Sequence, residues 1–385
     1  MELARPAKKT RATRTSQSPQ RRRPTEPVTI DVTSERGTYP VMVNAGLTTD
    51  PAATLKALAI TARVLVVSAP GIWKLHGAAW RTVAGKRGPV LVADGERAKT
   101  LASVERLYDA FSQNGLDRAA VVIALGGGVI GDMAGFAAAT YLRGLKVIQV
   151  PTTLLAQVDS AIGGKTGVNL AAGKNLVGAF HSPSAVLCDP LVLGTLPRRE
   201  FRSGLYEVVK YGVIADPELL ETILRDGHAI FEREPDVLTP LVAACCRIKA
   251  DVVMADERES GPRRALNFGH TIGHALEAIT KYRRFRHGEA IGYGMLAAAH
   301  LSRERNLMTD AHLAKLRDVI RSLGPLPTVA DLKVSDALAA TALDKKVVGG
   351  TLHFVAAKGL GATASVSDVT PDELKAALSA IGLRK

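Results

Sequence analysis

Aromatic residues are scarce in this chain of 385 residues, at 4%, so its interior must be filled by Ala, Val, Leu and Ile. A core of that kind suits tightly packed helices and a buried parallel sheet. Cysteine occurs three times, as Cys188, Cys245 and Cys246, with no CxxC pair. Such a set argues against a disulfide framework and points to a reducing compartment, the cytoplasm. No run of about 18 apolar residues exists, which excludes a membrane-spanning helix. The N-terminus also lacks the apolar segment of a secretory signal. Residues 1–27 instead hold eight basic residues against two acidic ones, nearly half of the net charge of +13. This stretch has almost no apolar residues and is expected to be a disordered basic tail. It has no aromatics to stack on bases, so nucleic acid is not its expected partner.

What is present is ordinary globular composition, 46% hydrophobic and 23% charged, in a chain long enough for two domains. Strand-like runs at 28–32, 39–43, 63–67, 89–93, 119–125 and 146–150 alternate with helical spacing at 100–114 and 131–142. That alternation predicts a parallel sheet with helices on its faces. Beyond about residue 196 helical patterns dominate, at 203–214, 217–229, 237–255, 264–280, 289–304 and 310–322. A late hairpin is expected from Gly350–Val355 and Thr363–Val366. The reading is an N-terminal α/β domain over 28–195 and a mostly helical C-terminal domain over 196–385.

Gly126-x-Gly128-x-x-Gly131 follows a buried run and opens a helical stretch. Glycine lets the backbone approach phosphate oxygens, and a helix N-terminus favours their charge, as in Rossmann-like domains. A tight turn with a helix cap would read the same way. Asp132 would repel an anion there, so it is expected to cap the helix or to accept from a hydroxyl. The following segment, 151–169, gathers hydroxyls, glycines, Asp159 and Lys165, with Lys174 and Asn175 close behind. Glycines beside lysines suit a loop that wraps phosphate or carboxylate.

The stretch 265–277, ALNFGHTIGHALE, carries the strongest chemical signal. If helical from Arg263, it places Arg263, Asn267, His270 and His274 within about 60° of arc. Such a polar stripe is expensive to bury unless it faces a ligand or metal. His270 and His274 at i and i+4 could share a metal, though no HExxH glutamate accompanies them. His287 offers a third imidazole and Glu207 a carboxylate, with Lys210 on the face of Glu207. Three N/O ligands with an open position describe a catalytic zinc site.

Taken in order, GGGVIGDMAGFAAATYLRG (126–144), QVPTTLLAQVDSAIGGKTGVN (149–169), GLYEVVKYG (204–212), ALNFGHTIGHALE (265–277), HGEAIGYGM (287–295) and DKK (344–346) resemble 3-dehydroquinate synthases. The resemblance runs from about residue 28 to the C-terminus. It implies a divalent metal, zinc or cobalt, on Glu207, His270 and His287. It also removes His274 from the metal and makes it a proton-transfer residue, with Glu259 a further proton acceptor. NAD would lie against Gly127, Gly128, Thr152, Thr153, Lys174 and Thr195, with Glu96 and Lys99 near the ribose. Asp132 and Lys165 would touch both cofactor and substrate. Asp159, Asn175, Lys210, Lys249, Arg263, Asn267 and one of Lys345 and Lys346 would complete the substrate set. Arg143 would reach the phosphate bound in a neighbouring subunit, which implies a homodimer. Two departures stand out. Ser68-Ala69-Pro70 replaces an acidic or amide residue that often holds the adenosine ribose, and Tyr206 replaces a small residue before Glu207.

The implied activity converts 3-deoxy-D-arabino-heptulosonate 7-phosphate to 3-dehydroquinate in aromatic amino acid biosynthesis. Oxidation at C5 acidifies C6, phosphate leaves from C7, C5 is reduced again, and an aldol step closes the carbocycle, so NAD is not consumed. Rival readings are another sugar-phosphate cyclase, such as a 2-deoxy-scyllo-inosose or aminodehydroquinate synthase, and a metal-dependent polyol dehydrogenase. Arg263, Asn267 and the Lys345/Lys346 pair favour a substrate that bears a carboxylate as well as a phosphate.

Overall fold

The computed structural model describes residues 27–259, 261–342, 347–348 and 351–385. The basic tail up to Glu26 and the pair Lys345 and Lys346 lie outside the described residues. Chain order begins with β1 (Val28–Ser34), β2 (Gly37–Val43), α1 (Pro51–Ala57), β3 (Val64–Ser68), α2 (Pro70–Ala84), β4 (Val90–Leu91) and α3 (Leu101–Gln113). It continues with β5 (Val121–Gly126), α4 (Gly128–Thr140), β6 (Lys146–Pro151), β7 (Lys165–Leu170), β8 (Gly173–Phe180) and β9 (Ala185–Cys188). Seven of these strands form one sheet in the order β1-β2-β9-β6-β5-β3-β4. Every pairing in it is parallel except the β1–β2 hairpin.

Strand β5 shows why the sheet is parallel and central. All six of its residues are buried. Val122 and Ala124 pack with Val104, Leu107 and Phe111 of α3 and with α4. Val121, Ile123 and Leu125 pack on the opposite face with Leu55 of α1 and Trp80 of α2. Helices on both faces leave no position for polar alternation, so the strand is a continuous apolar run.

Helix α4 is buried nearly all round, with Ile130, Met133, Ala134, Phe136, Ala137 and Ala138 in contact with neighbours. It is squeezed between the sheet and an antiparallel hairpin of β7 and β8. A Cβ at Gly131 would lie 2.7 Å from Gln149, and one at Gly135 would lie 2.5 Å from Thr166. Small residues here let backbones approach, which accounts for the abundance of Ala and Gly and the lack of aromatics. The segment read from sequence as a lysine-rich loop is therefore more ordered than expected. Residues Ala156–Ser160 form a π-helical turn, and Lys165–Leu170 is strand β7.

The remaining helices are α5 (Arg198–Ile214), α6 (Glu218–Phe231), α7 (Pro235–Ala255), α8 (His270–Ile279), α9 (His287–Glu304), α10 (Asp310–Ser322) and α11 (Val334–Ala342). Two short strands follow, β10 (Val347–Val348) and β11 (Thr351–Leu352), then β12 (Phe354–Ala357), β13 (Thr363–Val366) and α12 (Pro371–Ala380). The expected late hairpin is present as β12 paired with β13, with β13 where it was expected and β12 a few residues further towards the C-terminus. One apolar cluster joins Ile30, Val32, Tyr39, Val41 and Val43 of the β1–β2 hairpin to Val242, Cys246 and Val253 of α7 and to α5, α8 and α9. The helical part thus grows directly on the sheet edge and shares its core. None of the helices is long and apolar enough to cross a membrane, among the described residues.

The expected helix over 264–280 is not a single helix. Pro262–Asn267 is a 3-10 turn, Gly269 adopts φ 79°, and α8 starts only at His270. The break is set by close approach to α9. A Cβ on Gly294 would lie 1.8 Å from the Gly269 carbonyl oxygen, and one on Gly288 would lie 1.9 Å from the Ser203 carbonyl oxygen. Gly294→Ala is therefore expected to cost about 3 kcal/mol or more in urea unfolding. Gly194→Ala, at a position with open space around it, is expected to stay within about 0.5 kcal/mol of the parent.

Candidate active site

A cleft of about 1850 Å³ opens between the C-terminal edge of the sheet and the helices α8 and α9. On the sheet side it is lined by Gly127 and Gly128 at the start of α4, Thr152 and Thr153 after β6, Glu96 and Lys99 after β4, and Thr195. A Cβ on Gly127 or Gly128 would press on Thr153 at 3.0 Å or on Ser160 at 2.9 Å. The unpaired N–H groups of the first turn of α4 thus form a narrow cradle beside threonine hydroxyls, which suits a dinucleotide pyrophosphate. Ser68 does not face this space: it is buried and donates to the Leu125 carbonyl at 2.8 Å.

Asp132 neither caps α4, whose cap position is Gly127, nor waits for a hydroxyl. It accepts from the buried Lys99 ammonium, which also donates to Asn175. Burial pushes the Asp132 carboxyl up to about 6, against the pull of Lys99. The β7–β8 hairpin supplies Lys165, Lys174 and Asn175 to the cleft. Lys165 pairs with Glu259, which also accepts from Asn267. Burial works against the Glu259 carboxylate, but Lys165 and Asn267 outweigh it and hold its pKa below the ordinary value. Lys174 stands 3.7 Å from Glu277 and over the ring of Tyr282.

At the floor, α5, α8 and α9 bring Glu207, His270 and His287 together, with their ligand atoms within 4.8 Å of one another. Glu207 Oε1 lies 3.7 Å from His270 Nε2 and 3.5 Å from His287 Nε2. Metal bonds of roughly 2.0–2.1 Å at tetrahedral angles put donor atoms about 3.3 Å apart, so this set fits a zinc-sized ion. The Glu207 side chain is 0% exposed, and neither of its oxygens has a well-formed hydrogen bond among the described residues. Only the Lys210 ammonium presses on Oε2. Lys210 serves Oε2, and Oε1, between the two imidazoles, is placed to take a metal ion. Burial lowers the His287 pKa, but Glu207 and Glu277 outweigh it and lift it to about 10. A divalent ion must displace that proton to bind.

The other three-ligand candidate, His274, Glu277 and His287, shares His287 with this trio. His274 itself lines the cleft, with its ring centroid 5.4 Å from that of His270. The broken helix separates the expected stripe into distinct positions. Asn267 and His274 face the cleft, His270 faces Glu207, and Arg263 is buried beneath. Arg263 donates to the carbonyls of Glu257 and Gly163 and so braces the loop that presents Glu259.

Behind the trio lies a buried charge cluster. Asp159, on the π-turn, accepts from Lys249, stands 3.7 Å from Lys210 and lies 3.3 Å from the Tyr211 hydroxyl. Burial raises the Asp159 pKa, but Lys210 and Lys249 together overcome it and hold it well below the carboxylate range. Tyr206 packs against Gly292 of α9, with its buried hydroxyl lacking a hydrogen-bond partner among the described residues. Arg143 is exposed on the turn after α4, with φ 67°, and does not line this cleft.

Two residues at the site were not singled out from sequence. Glu277 lies 3.5 Å from His287 Nδ1, and its spacing of three from His274 on one helix was the available signal. Glu289 is fully buried, bound by Arg199 and Arg202, and caps the first turn of α9 that carries His287. Its arginine partners lie some 90 residues earlier, so spacing could not reveal it.

The sequence matches the family descriptions 3-dehydroquinate synthase N-terminal over residues 89–203 and 3-dehydroquinate synthase C-terminal over residues 204–347. The chain belongs to the 3-dehydroquinate synthase family. A 3-dehydroquinate synthase of Solibacter usitatus is 45% identical over 311 residues, which cover 80% of this chain and 87% of the relative. Among solved structures, 2-epi-5-epi-valiolone synthase of Streptomyces hygroscopicus, with NAD+ and Zn2+ bound, superposes with a TM-score of 0.79 at 31% identity. That match covers 89% of this chain and 96% of the other. A 2-deoxy-scyllo-inosose synthase complexed with carbaglucose-6-phosphate, NAD+ and Co2+ gives 0.79 at 25% identity, covering 92% and 99%. The family assignment and the fold agree along nearly the whole chain.

Replacing Asp159 leaves the buried Lys249 ammonium uncompensated, while Lys210 keeps Glu207, so Asp159→Asn is expected to cost about 3 kcal/mol at pH 7. With the folded pKa depressed from 3.8, the unfolded chain takes up the proton first. The stabilisation is therefore present above about pH 4 and is lost as pH falls below it. Urea titrations at pH 7 and pH 3 are expected to show the gap between the two proteins shrinking at the lower pH.

Proposed function

We propose that this chain converts 3-deoxy-D-arabino-heptulosonate 7-phosphate to 3-dehydroquinate and phosphate, with NAD and a divalent metal, zinc or cobalt. The observation that carries the choice among cyclases is identity: 45% to a 3-dehydroquinate synthase against 31% and 25% to the valiolone and deoxyinosose enzymes. The buried Glu207 carboxylate between two imidazoles supports the metal, and the glycine cradle beside Thr152 and Thr153 supports the dinucleotide.

In this reading residues 28–195 carry the cofactor, and residues 196–385 carry the metal ligands and most substrate groups. Glu207, His270 and His287 would hold the metal, which supplies Lewis acidity at the C5 oxygen, while NAD supplies a reversible hydride acceptor. His274, in the cleft beside the trio, takes and returns the proton of the C5 hydroxyl. Lys165 and Asn267 serve the substrate carboxylate as charge-assisted donors, with Lys345 or Lys346, while Arg263 braces the Glu259 loop beneath them. Lys165 must leave Glu259 to do so, which frees Glu259 to accept a proton. Lys210 and Lys249, fixed on Asp159, orient hydroxyls near the metal, and Asn175 and Asp132 hold the opposite edge. Glu96, Lys99, Lys174 and Thr195 complete the cofactor contacts. Arg143, exposed outside its own cleft, serves the phosphate in a partner subunit of a homodimer.

The direct test is phosphate release from the heptulosonate phosphate with catalytic NAD. The expected result is one phosphate and one dehydroquinate per substrate, no net NADH, and loss of activity with a chelator. Net NADH formation would instead indicate a polyol dehydrogenase, and phosphate release only from an amino analogue an aminodehydroquinate synthase. A second expectation concerns ligand roles. His270→Ala is expected to lose the metal and all activity, while His274→Ala keeps the metal and turns over at least 100-fold more slowly. Elemental analysis of both purified variants decides this, because equal metal loss would overturn the division of roles.

A further inference from the structure

The two imidazoles at the metal floor have different outer partners. His270 Nδ1 faces the main-chain carbonyl of Phe268 at 3.2 Å. His287 Nδ1 faces a carboxylate, with Glu277 Oε2 at 3.5 Å. In both rings this leaves Nε2 turned towards Glu207. Glu277 sits on α8 with its side chain only 6% exposed, so water does little to screen it. Its other oxygen, Oε1, is 3.7 Å from the Lys174 ammonium of the β7–β8 hairpin. That ammonium argues against a second cation among His274, Glu277 and His287, and leaves the carboxylate to act on the ring.

We infer that Glu277 is a positioning residue: it fixes the His287 ring with its Nδ1–H directed at the carboxylate, so that Nε2 is presented to the metal, and through Lys174 it ties that ring to the cofactor side of the cleft. A carboxylate on the outer nitrogen selects one tautomer, restrains the ring and raises the donor strength of the inner nitrogen. The inference rests on the reading of Glu207, His270 and His287 as the metal ligands.

The test uses the full chain loaded with zinc or cobalt and titrated with a competing chelator. Glu277→Gln is expected to weaken metal binding by roughly 10–100-fold while the metal-free protein melts close to the parent. Glu277→Asp keeps the charge on a shorter arm and is expected to fall between the two. It decides the matter if the glutamine variant fails to fold. In the cobalt-loaded protein, NMR resolves the exchangeable ring N–H of each ligand imidazole. Glu277→Gln is expected to speed solvent exchange of one and leave the other, held by the Phe268 carbonyl, unchanged. Parental metal affinity and parental exchange of both signals in the variants would overturn the inference. Equal metal binding by the parent and His287→Ala would overturn the ligand assignment beneath it instead.

Discussion

A single buried carboxylate, Glu207, dictates much of what surrounds it. An isolated anion at 0% exposure would cost several kcal/mol and would take up a proton instead. Burial works against it, yet Lys210 and His287 outweigh that and hold its pKa below the ordinary carboxylate value. Meeting that need takes three helices at fixed distances. Lys210 comes from the same face of α5, His270 from the first residue of α8, and His287 from the first residue of α9. The glycine contacts at Gly269, Gly288 and Gly294 are the means by which those helices come close enough. Packing and electrostatics are one problem here, because a helix displaced by a methyl group also displaces a ligand.

The same logic extends across the cleft. Nearly every cation assigned to the substrate or cofactor rests on a carboxylate: Lys99 on Asp132, Lys165 on Glu259, Lys249 and Lys210 on Asp159. The cleft is therefore less positive than the chain's net charge of +13 suggests. On the proposed reading, an anionic substrate would draw Lys165 from its internal partner, which would lower raw affinity. In return the ammonium group would be oriented before binding, and the Glu259 carboxylate it leaves would be open to a proton. Such an exchange would give the paired charges a role that stability alone would not, since buried pairs are weak stabilisers.

Much of this was legible in the sequence. The glycine loop, the all-apolar β5 and the parallel sheet could be read because each is a local pattern with a local physical cause. The resemblance to the family fixed Glu207, His270 and His287 as candidates, and the structure brings those three side chains together. The break at Phe268–Gly269 was not legible. The stripe from Arg263 to His274 fits a continuous helix, and the reason for the break is a backbone contact with Gly294 some 25 residues on. For the same reason Arg263 was expected in the stripe and lies buried against carbonyls of Gly163 and Glu257. The β7–β8 hairpin was read as loop because its glycines, which look like turn residues, serve the close approach of its two strands, where a Cβ on Gly167 or Gly178 would meet a carbonyl oxygen of the facing strand. Glu277 and Glu289 were passed over because their importance lies in what they touch, and those partners come from distant segments.

The central claim is that two imidazoles and one carboxylate hold a divalent ion at the floor of this cleft. X-ray absorption at the zinc edge of the NAD-saturated protein tests it most directly. The account predicts a first shell of light N/O donors containing two imidazoles and no sulfur, with the same spectrum in His274→Ala. A third imidazole that disappears in His274→Ala, or any zinc–sulfur scattering, would contradict it.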